Sequence, residues 1–261
     1  MTDALATFTE TEFSYDGSTR TVYRAGSGPG IVVMSEMPGI TPNVAAFARR
    51  LVDAGFTVAM PQMFGTPGRA PSVGYVMNSL RQGCVSHEFT TWALNRTSPI
   101  IDWLRALARD LHEKCGGPGV GAIGMCFTGG FALAMAVDDN MLAPVLSQPS
   151  LPFAVGRERK RALGLSDADL AQVAERADLC VLAMRFTGDP AVPGERFAHL
   201  REVLGDRVLT IEIENRKGRN PHNLPRAAHS VVTEHLVDEP GHPTREALDQ
   251  VLAFFKERLA R

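Results

Sequence analysis

The sequence is 261 residues long, enough for one large core, and its 44% apolar and 21% charged content is ordinary for a globular chain. A formal net charge of −2 gives no electrostatic attraction to nucleic acid or to an anionic membrane surface. No run has the continuous apolar length of a transmembrane helix, and the first thirty residues hold Asp3, Glu10, Glu12 and Asp16 without the apolar core of a secretory signal.

Taken in chain order, Phe8 to Tyr15 alternates in character, Asp16-Gly17 is a hairpin signal, and Thr19 to Arg24 returns as a second strand, so an antiparallel pair at a sheet edge is expected. Gly30 to Ser35 reads as a buried strand ending at Glu36-Met37-Pro38-Gly39. Residues 43 to 54 carry Val44, Phe47, Ala48, Leu51 and Val52 at helical spacing before Gly55, and Phe56 to Met60 is the next strand. From 61 to 94, Pro61, Gly65, Pro67, Gly68, Pro71 and Gly74 break any regular element. A connection this long, with Phe64, Tyr75, Phe89 and Trp92 in it, predicts an ordered lid-like insertion over about 62–97. A helix resumes from Ser98 to Lys114.

Val120 to Ile123 is a short apolar strand, and Gly130 to Val137 a small, apolar helix. Between them lies Gly124-Met125-Cys126-Phe127-Thr128-Gly129-Gly130, small residues crowding a strand-to-helix joint with one reactive side chain at its tip. That is the pattern of a nucleophile elbow, which aims the side chain outward at a helix N-terminus. A lone cysteine is also a common core residue, and Met125 and Phe127 suit a core equally well. The two readings separate on whether an acid and a histidine share the rim.

Beyond the elbow, strands at Leu142–Leu146, Leu179–Phe186 and Arg207–Ile213 alternate with helices from Ser166 to Ala177, Gly194 to Leu204 and Pro243 to Leu259, with Ser166 and Asp169 as a capping box. This order predicts one α/β domain over 1–261 with a mostly parallel central sheet and helices on both faces. Ligands in such sheets bind beyond the C-terminal strand ends. Glu36, Cys126, Asp189 and His229 are all predicted at those ends.

The order Cys126, Asp189, His229 is the nucleophile–acid–histidine order of the α/β-hydrolase fold. The imidazole would take the thiol proton and later protonate the leaving group, while the aspartate fixes its tautomer. Backbone N–H groups of Met37 and Phe127 are the expected oxyanion hole. Asp189 precedes Pro190 and could serve only to start a turn, and His222 rivals His229 for the same role. His229 is preferred because Ser230 and the last helix follow it. Glu36 ends an apolar strand, where a carboxylate is costly unless paired.

Cys84, Cys115, Cys126 and Cys180 form no C-x-x-C pair, so reduced thiols and a cytoplasmic setting are expected. His222, His229, His235 and His242 are spaced seven, six and seven apart, which matches no metal-ligand pair, so no metal is expected. The expected partner is a small-molecule substrate, bound by a monomer or small homo-oligomer.

These residues resemble the dienelactone hydrolase family. Gly124-Met-Cys126-Phe-Thr-Gly-Gly130 is similar to its Gly-x-Cys-x-Gly-Gly elbow, Asp189-Pro-Ala-Val192-Pro193 to its Asp-x-x-Val-Pro segment, and Ala228-His229-Ser230 to its Gly-His-Ser segment. Glu36, after Ile-Val-Val and before Pro38-Gly39, is similar to the family's gating glutamate. The resemblance covers nearly the whole chain outside 62–97. It implies a lactone or ester hydrolase without a cofactor, working through a thioester on Cys126 with His229 and Asp189, the resting thiol lying neutral against Glu36. There are three departures. Thr128 stands where the elbow has glycine, Thr233 stands where the family has the arginine that holds a substrate carboxylate, and the 62–97 segment rebuilds one wall. Arg81 and Arg96 in that segment are candidate replacement clamps for a carboxylate. Two other functions fit the same residues: a general carboxylesterase on this fold, and a non-catalytic, redox-sensing thiol protein.

Overall fold

The computed structural model describes residues 3–72, 74–76, 79, 98–151 and 156–260. Their centre is an eight-stranded sheet in the order β1-β2-β4-β3-β5-β6-β7-β8, formed by β1 (Thr9–Tyr15), β2 (Ser18–Ala25), β3 (Gly30–Met34), β4 (Thr57–Pro61), β5 (Val120–Met125), β6 (Met141–Ser147), β7 (Val181–Phe186) and β8 (Val208–Ile213). All neighbouring pairs from β4 to β8 are parallel. The β1–β2 hairpin is the antiparallel edge expected, and β2 also pairs antiparallel with β4. Its turn has φ +47 at Asp16 and +74 at Gly17, the double left-handed geometry that matches the twist of a two-residue hairpin.

Alternation along each strand feeds two core layers. In β3, Val32 and Met34 face a layer with α2 (Pro99–Cys115), α3 (Gly129–Met135) and α6 (Gly194–Leu204), through Trp103, Leu107, Phe131 and Phe197. Ile31 and Val33 face the opposite layer with α1 (Pro42–Asp53) and α7 (Pro243–Leu259), through Phe47, Leu51, Val251 and Phe255. The α/β-hydrolase-like architecture expected from the sequence is the one present.

Local details differ. α3 begins at Gly129 and ends at Met135, because a single 3-10 turn over Cys126–Thr128 precedes it and Ala136 already closes it. A short helix α4 (Arg157–Arg161) was not anticipated, since its five residues are all charged and carry no apolar periodicity. Tertiary bonds hold its end. The buried Arg196 guanidinium of α6 donates to the carbonyls of Arg159 at 3.3 Å, Ala162 at 2.7 Å and Pro149 at 2.6 Å. Helix α5 (Asp167–Glu175) has the expected cap, with Ser166 Oγ accepting from Asp169 N at 3.1 Å. Most of the lid-like insertion predicted over 62–97 lies outside the described residues. In the part inside them Met63, Phe64 and Tyr75 are buried while 69–72 are exposed, and Arg69 lies over the Tyr75 ring at 4.2 Å.

Candidate active site

The site is assembled at the C-terminal ends of the parallel strands. β5 runs out at Met125, and Cys126 follows with φ +55, a left-handed conformation rare for a residue with a side chain. Two neighbours enforce it. Gly124 passes so close to the returning chain that a Cβ there would stand 2.0 Å from the Thr128 carbonyl oxygen. The Thr128 hydroxyl accepts from Met125 N at 2.9 Å and reaches the Met34 carbonyl of β3 at 2.9 Å. Threonine at this position therefore ties the elbow to the adjacent strand and does not merely crowd the turn.

The Cys126 sulfur lies 3.1 Å from Ser150 Oγ, and Ser150 N donates to the Cys126 carbonyl at 2.9 Å. Ser150 belongs to the stretch after β6, which turns at Gln148 with φ +37. After β7, Asp189 is buried. Its Oδ1 accepts from Ala191 N at 2.9 Å, and its Oδ2 meets His229 Nδ1 at 2.5 Å. One carboxylate thus both starts the Asp-Pro turn and orients the imidazole. Burial works against the imidazolium. It is outweighed by the Cys126 charge, by hydrogen bonds to Asp189 and Cys126 and by the Asp189 charge, and His229 is raised to about 11. His222 is elsewhere, packed edge-on against His242 with ring centroids 5.6 Å apart.

Glu36 sits just beyond β3 with only 2% of its surface exposed. Ser230 and Thr233 donate their hydroxyls to its two carboxylate oxygens, and Gln148 Nε2 lies 3.4 Å from one of them. Burial pushes its carboxyl above the ordinary range, against the pull of those two hydroxyls and of the His229 charge. Cys126 is not among its hydrogen-bond partners; the sulfur's polar neighbours are Ser150 and His229.

A cavity of about 980 Å³ opens over these groups and is lined by Cys126, His229, Asp189, Met37 and Phe127, with Leu151 on its apolar wall. Among the described residues no cluster of three or more His, Cys, Asp or Glu is arranged to hold a metal, and no helix is long and apolar enough to cross a membrane.

A model of the dienelactone hydrolase family matches residues 18–258. The chain belongs to the dienelactone hydrolase family. Solved structures share its fold at low identity. A dienelactone hydrolase-like promiscuous phosphotriesterase from metagenomic libraries is 18% identical with a TM-score of 0.66, covering 97% of this chain and 99% of its own. Est1E from Butyrivibrio proteoclasticus is 14% identical with a TM-score of 0.59, covering 97% and 99%. A cold-adapted esterase from an Arctic intertidal metagenomic library is 14% identical with a TM-score of 0.57, covering 96% and 92%. Among curated proteins none is significantly similar in sequence.

Thr233 is a buried donor to Glu36. Gln148 links three parts of the site. Its side chain bonds Ser147, lies near Glu36, and accepts from Val231 N at 3.3 Å. Neither Gln148 nor Ser150 was singled out from the sequence. The available signal was Ser147-Gln148-Pro149-Ser150, a polar exit from an apolar strand at the same rim. Arg81 and Arg96 lie outside the described residues.

Proposed function

We propose that this hydrolase opens an ester or lactone through a thioester on Cys126, with His229 as general acid and base and Asp189 as the group that orients it. The observation that carries the reading is the 2.5 Å contact between Asp189 Oδ2 and His229 Nδ1, on the wall of the cavity that also contains the left-handed Cys126. An imidazole whose Nδ1–H is committed to a buried carboxylate presents Nε2 as its working nitrogen.

His229 takes the Cys126 thiol proton as the sulfur attacks the carbonyl carbon. The carbon–oxygen bond of the leaving group then breaks, and His229 gives its proton to the departing alkoxide. Water attacks the thioester while His229 takes its proton; the carbon–sulfur bond breaks and the carboxylic acid leaves. The N–H groups of Met37 and Phe127 are assigned to the oxyanion of both tetrahedral states. In this reading Glu36 meets the thiol only after leaving Ser230 and Thr233, which is the movement a gating role would require. A cavity of about 980 Å³ suits a substrate with a sizeable apolar acyl part.

The test is hydrolysis of a panel of enol-lactones and aryl esters by the protein and by Cys126→Ala. We expect the variant to lose on the order of a thousandfold or more in kcat, and the wild type to gain the mass of the acyl group on Cys126 during turnover. Unchanged hydrolysis by Cys126→Ala would remove the reading.

A further inference from the structure

The cavity over Cys126 has a neighbour. It shares Asn215, Arg216, Lys217 and Arg226 with a second hollow of about 550 Å³, which adds Arg219 and Asn220. Four cationic side chains line this shelf and no carboxylate does, in a chain whose formal net charge is −2. Arg216 is neutralised from outside by Glu214 at 2.6 Å. Lys217, Arg219 and Arg226 are exposed, and among the described residues none has a side-chain hydrogen bond or an ion pair. Three unpaired cations facing one concavity repel one another, and the cost is relieved by an anion.

The loop that carries them is fixed. The buried Asn215 accepts from Gly188 N at 2.7 Å and donates to the Pro225 carbonyl at 3.2 Å, so one amide pins both ends of the loop beside Asp189. Asn220 makes a paired contact with Leu224, donating to its carbonyl at 2.7 Å and accepting from its N–H at 2.9 Å. Arg216 and Arg219 close a small antiparallel bridge around Gly218, whose φ is +81. The loop then leads through Arg226 and Ala227 directly into His229. The shelf therefore adjoins, along the chain, the histidine assigned to protonate the departing oxygen, while Met37, Phe127 and Leu151 supply apolar lining to the cavity over Cys126.

We propose that Lys217, Arg219 and Arg226 form a second recognition site, which binds an anionic group carried on the leaving arm of the substrate. The inference rests on the hydrolase reading above for the direction in which the substrate lies. It assigns the acyl part to the apolar wall and a phosphate- or sulfonate-like terminus to the shelf. The attraction is between exposed charges, so it acts mainly on binding and weakens with salt.

The experiment compares three esters: 2-naphthyl butyrate, its 6-sulfonate on the leaving arm, and 2-naphthyl hydrogen succinate, which carries the anion on the acyl arm. For the Lys217→Ala, Arg226→Ala double variant we expect the ratio of kcat/KM for the sulfonated ester to that for the neutral one to fall about fivefold, through KM. In the wild type, raising salt from about 20 mM to about 500 mM is expected to lower the same ratio. The succinate-to-neutral ratio is expected to stay put. A sulfonate ratio that does not move, or a succinate ratio that falls in its place, overturns the proposal. A binding arm separates this outcome from failure of the hydrolase reading. Cys126→Ala protein is titrated by fluorescence with 6-hydroxy-2-naphthalenesulfonate and with 2-naphthol. Preference for the sulfonate that disappears in the Lys217, Arg226 variant supports the shelf even if no ester is turned over, and equal binding of the two sinks it.

Discussion

Cys126 is held in a backbone conformation that costs about 1–2 kcal/mol for a residue with a side chain, and its φ of +55 is maintained by bonds that do not involve its sulfur. The strain is thus paid for by the scaffold, which leaves the sulfur's own contacts to set its reactivity. Two such contacts are separable. The Ser150 hydroxyl lies 3.1 Å from the sulfur, while the Ser150 N–H holds the Cys126 carbonyl whatever the side chain. Replacing Ser150 by Ala keeps the backbone bond and removes the hydroxyl, so kcat is expected to fall about three- to tenfold with folding intact, the worth of one ordinary hydrogen bond. Steady-state kinetics alongside a urea melt checks this, and a loss of fold would show that the hydroxyl is structural. His229 is the other contact. Its value of about 11 draws on the Cys126 charge and hydrogen bond as well as on Asp189. At pH 8 the ring is expected to be doubly protonated in the wild type and to titrate at lower pH in Cys126→Ala. Nitrogen-15 NMR of the imidazole across pH 5–10 reads both, and an unshifted titration in the variant would mean that the pair does not exist.

At the scale of the element, the elbow depends on atoms that a pattern search does not weigh. Thr128 is buried and its hydroxyl serves Met125 N and the Met34 carbonyl. Thr128→Val keeps the volume and the β-branch but strands a buried N–H, so a loss of about 1–3 kcal/mol is expected. Gly124→Ala drives a methyl into backbone, 2.0 Å from a carbonyl oxygen, and is expected to cost more than the valine change. Urea unfolding of the two variants ranks them, and a stable Thr128→Val would show that the hydroxyl's bonds contribute little. The same region shows what was legible in the sequence. The glycines around Cys126, the Asp-Pro step at 189 and the Ala-His-Ser at 228–230 each announce a turn, and a turn at a strand end places a residue on the rim. Gln148 and Ser150 announce nothing locally. Their importance comes from β6 lying beside β5, a pairing between strands that sequence spacing does not specify. Helix α4 was illegible for a related reason, since the bonds that hold its end come from Arg196, more than thirty residues away.

Across the whole molecule, the rim concentrates groups whose ionisation is coupled to folding. Glu36 is raised above its ordinary 4.5 by burial, and His229 above its ordinary 6.5 to about 11. For both, the folded state binds a proton more tightly than the unfolded chain. Their contribution to stability is therefore complete at pH below the ordinary value and is withdrawn as pH rises through the folded value. Asp238 acts in the opposite sense: Arg50 and Arg245 hold it below its ordinary 3.8, so its contribution is present at neutral pH and lost on acidification. Well above its ordinary value Asp238 is silent, whereas Glu36 begins to withdraw its part above pH 4.5 and His229 above pH 6.5. Glu36→Gln isolates one part of it. The amide is uncharged at every pH, and its oxygen still accepts from one of the Ser230 and Thr233 hydroxyls. The variant is expected to lose stability less steeply than the wild type as pH rises above 4.5, the ordinary value of the carboxyl. Glu36→Ala, which strips both hydroxyls of their acceptor, should be less stable by about 1–3 kcal/mol throughout. Urea midpoints taken each half pH unit decide the matter. Parallel curves for Glu36→Gln and the wild type from pH 4.5 upward would mean that the buried carboxyl keeps an ordinary affinity for its proton.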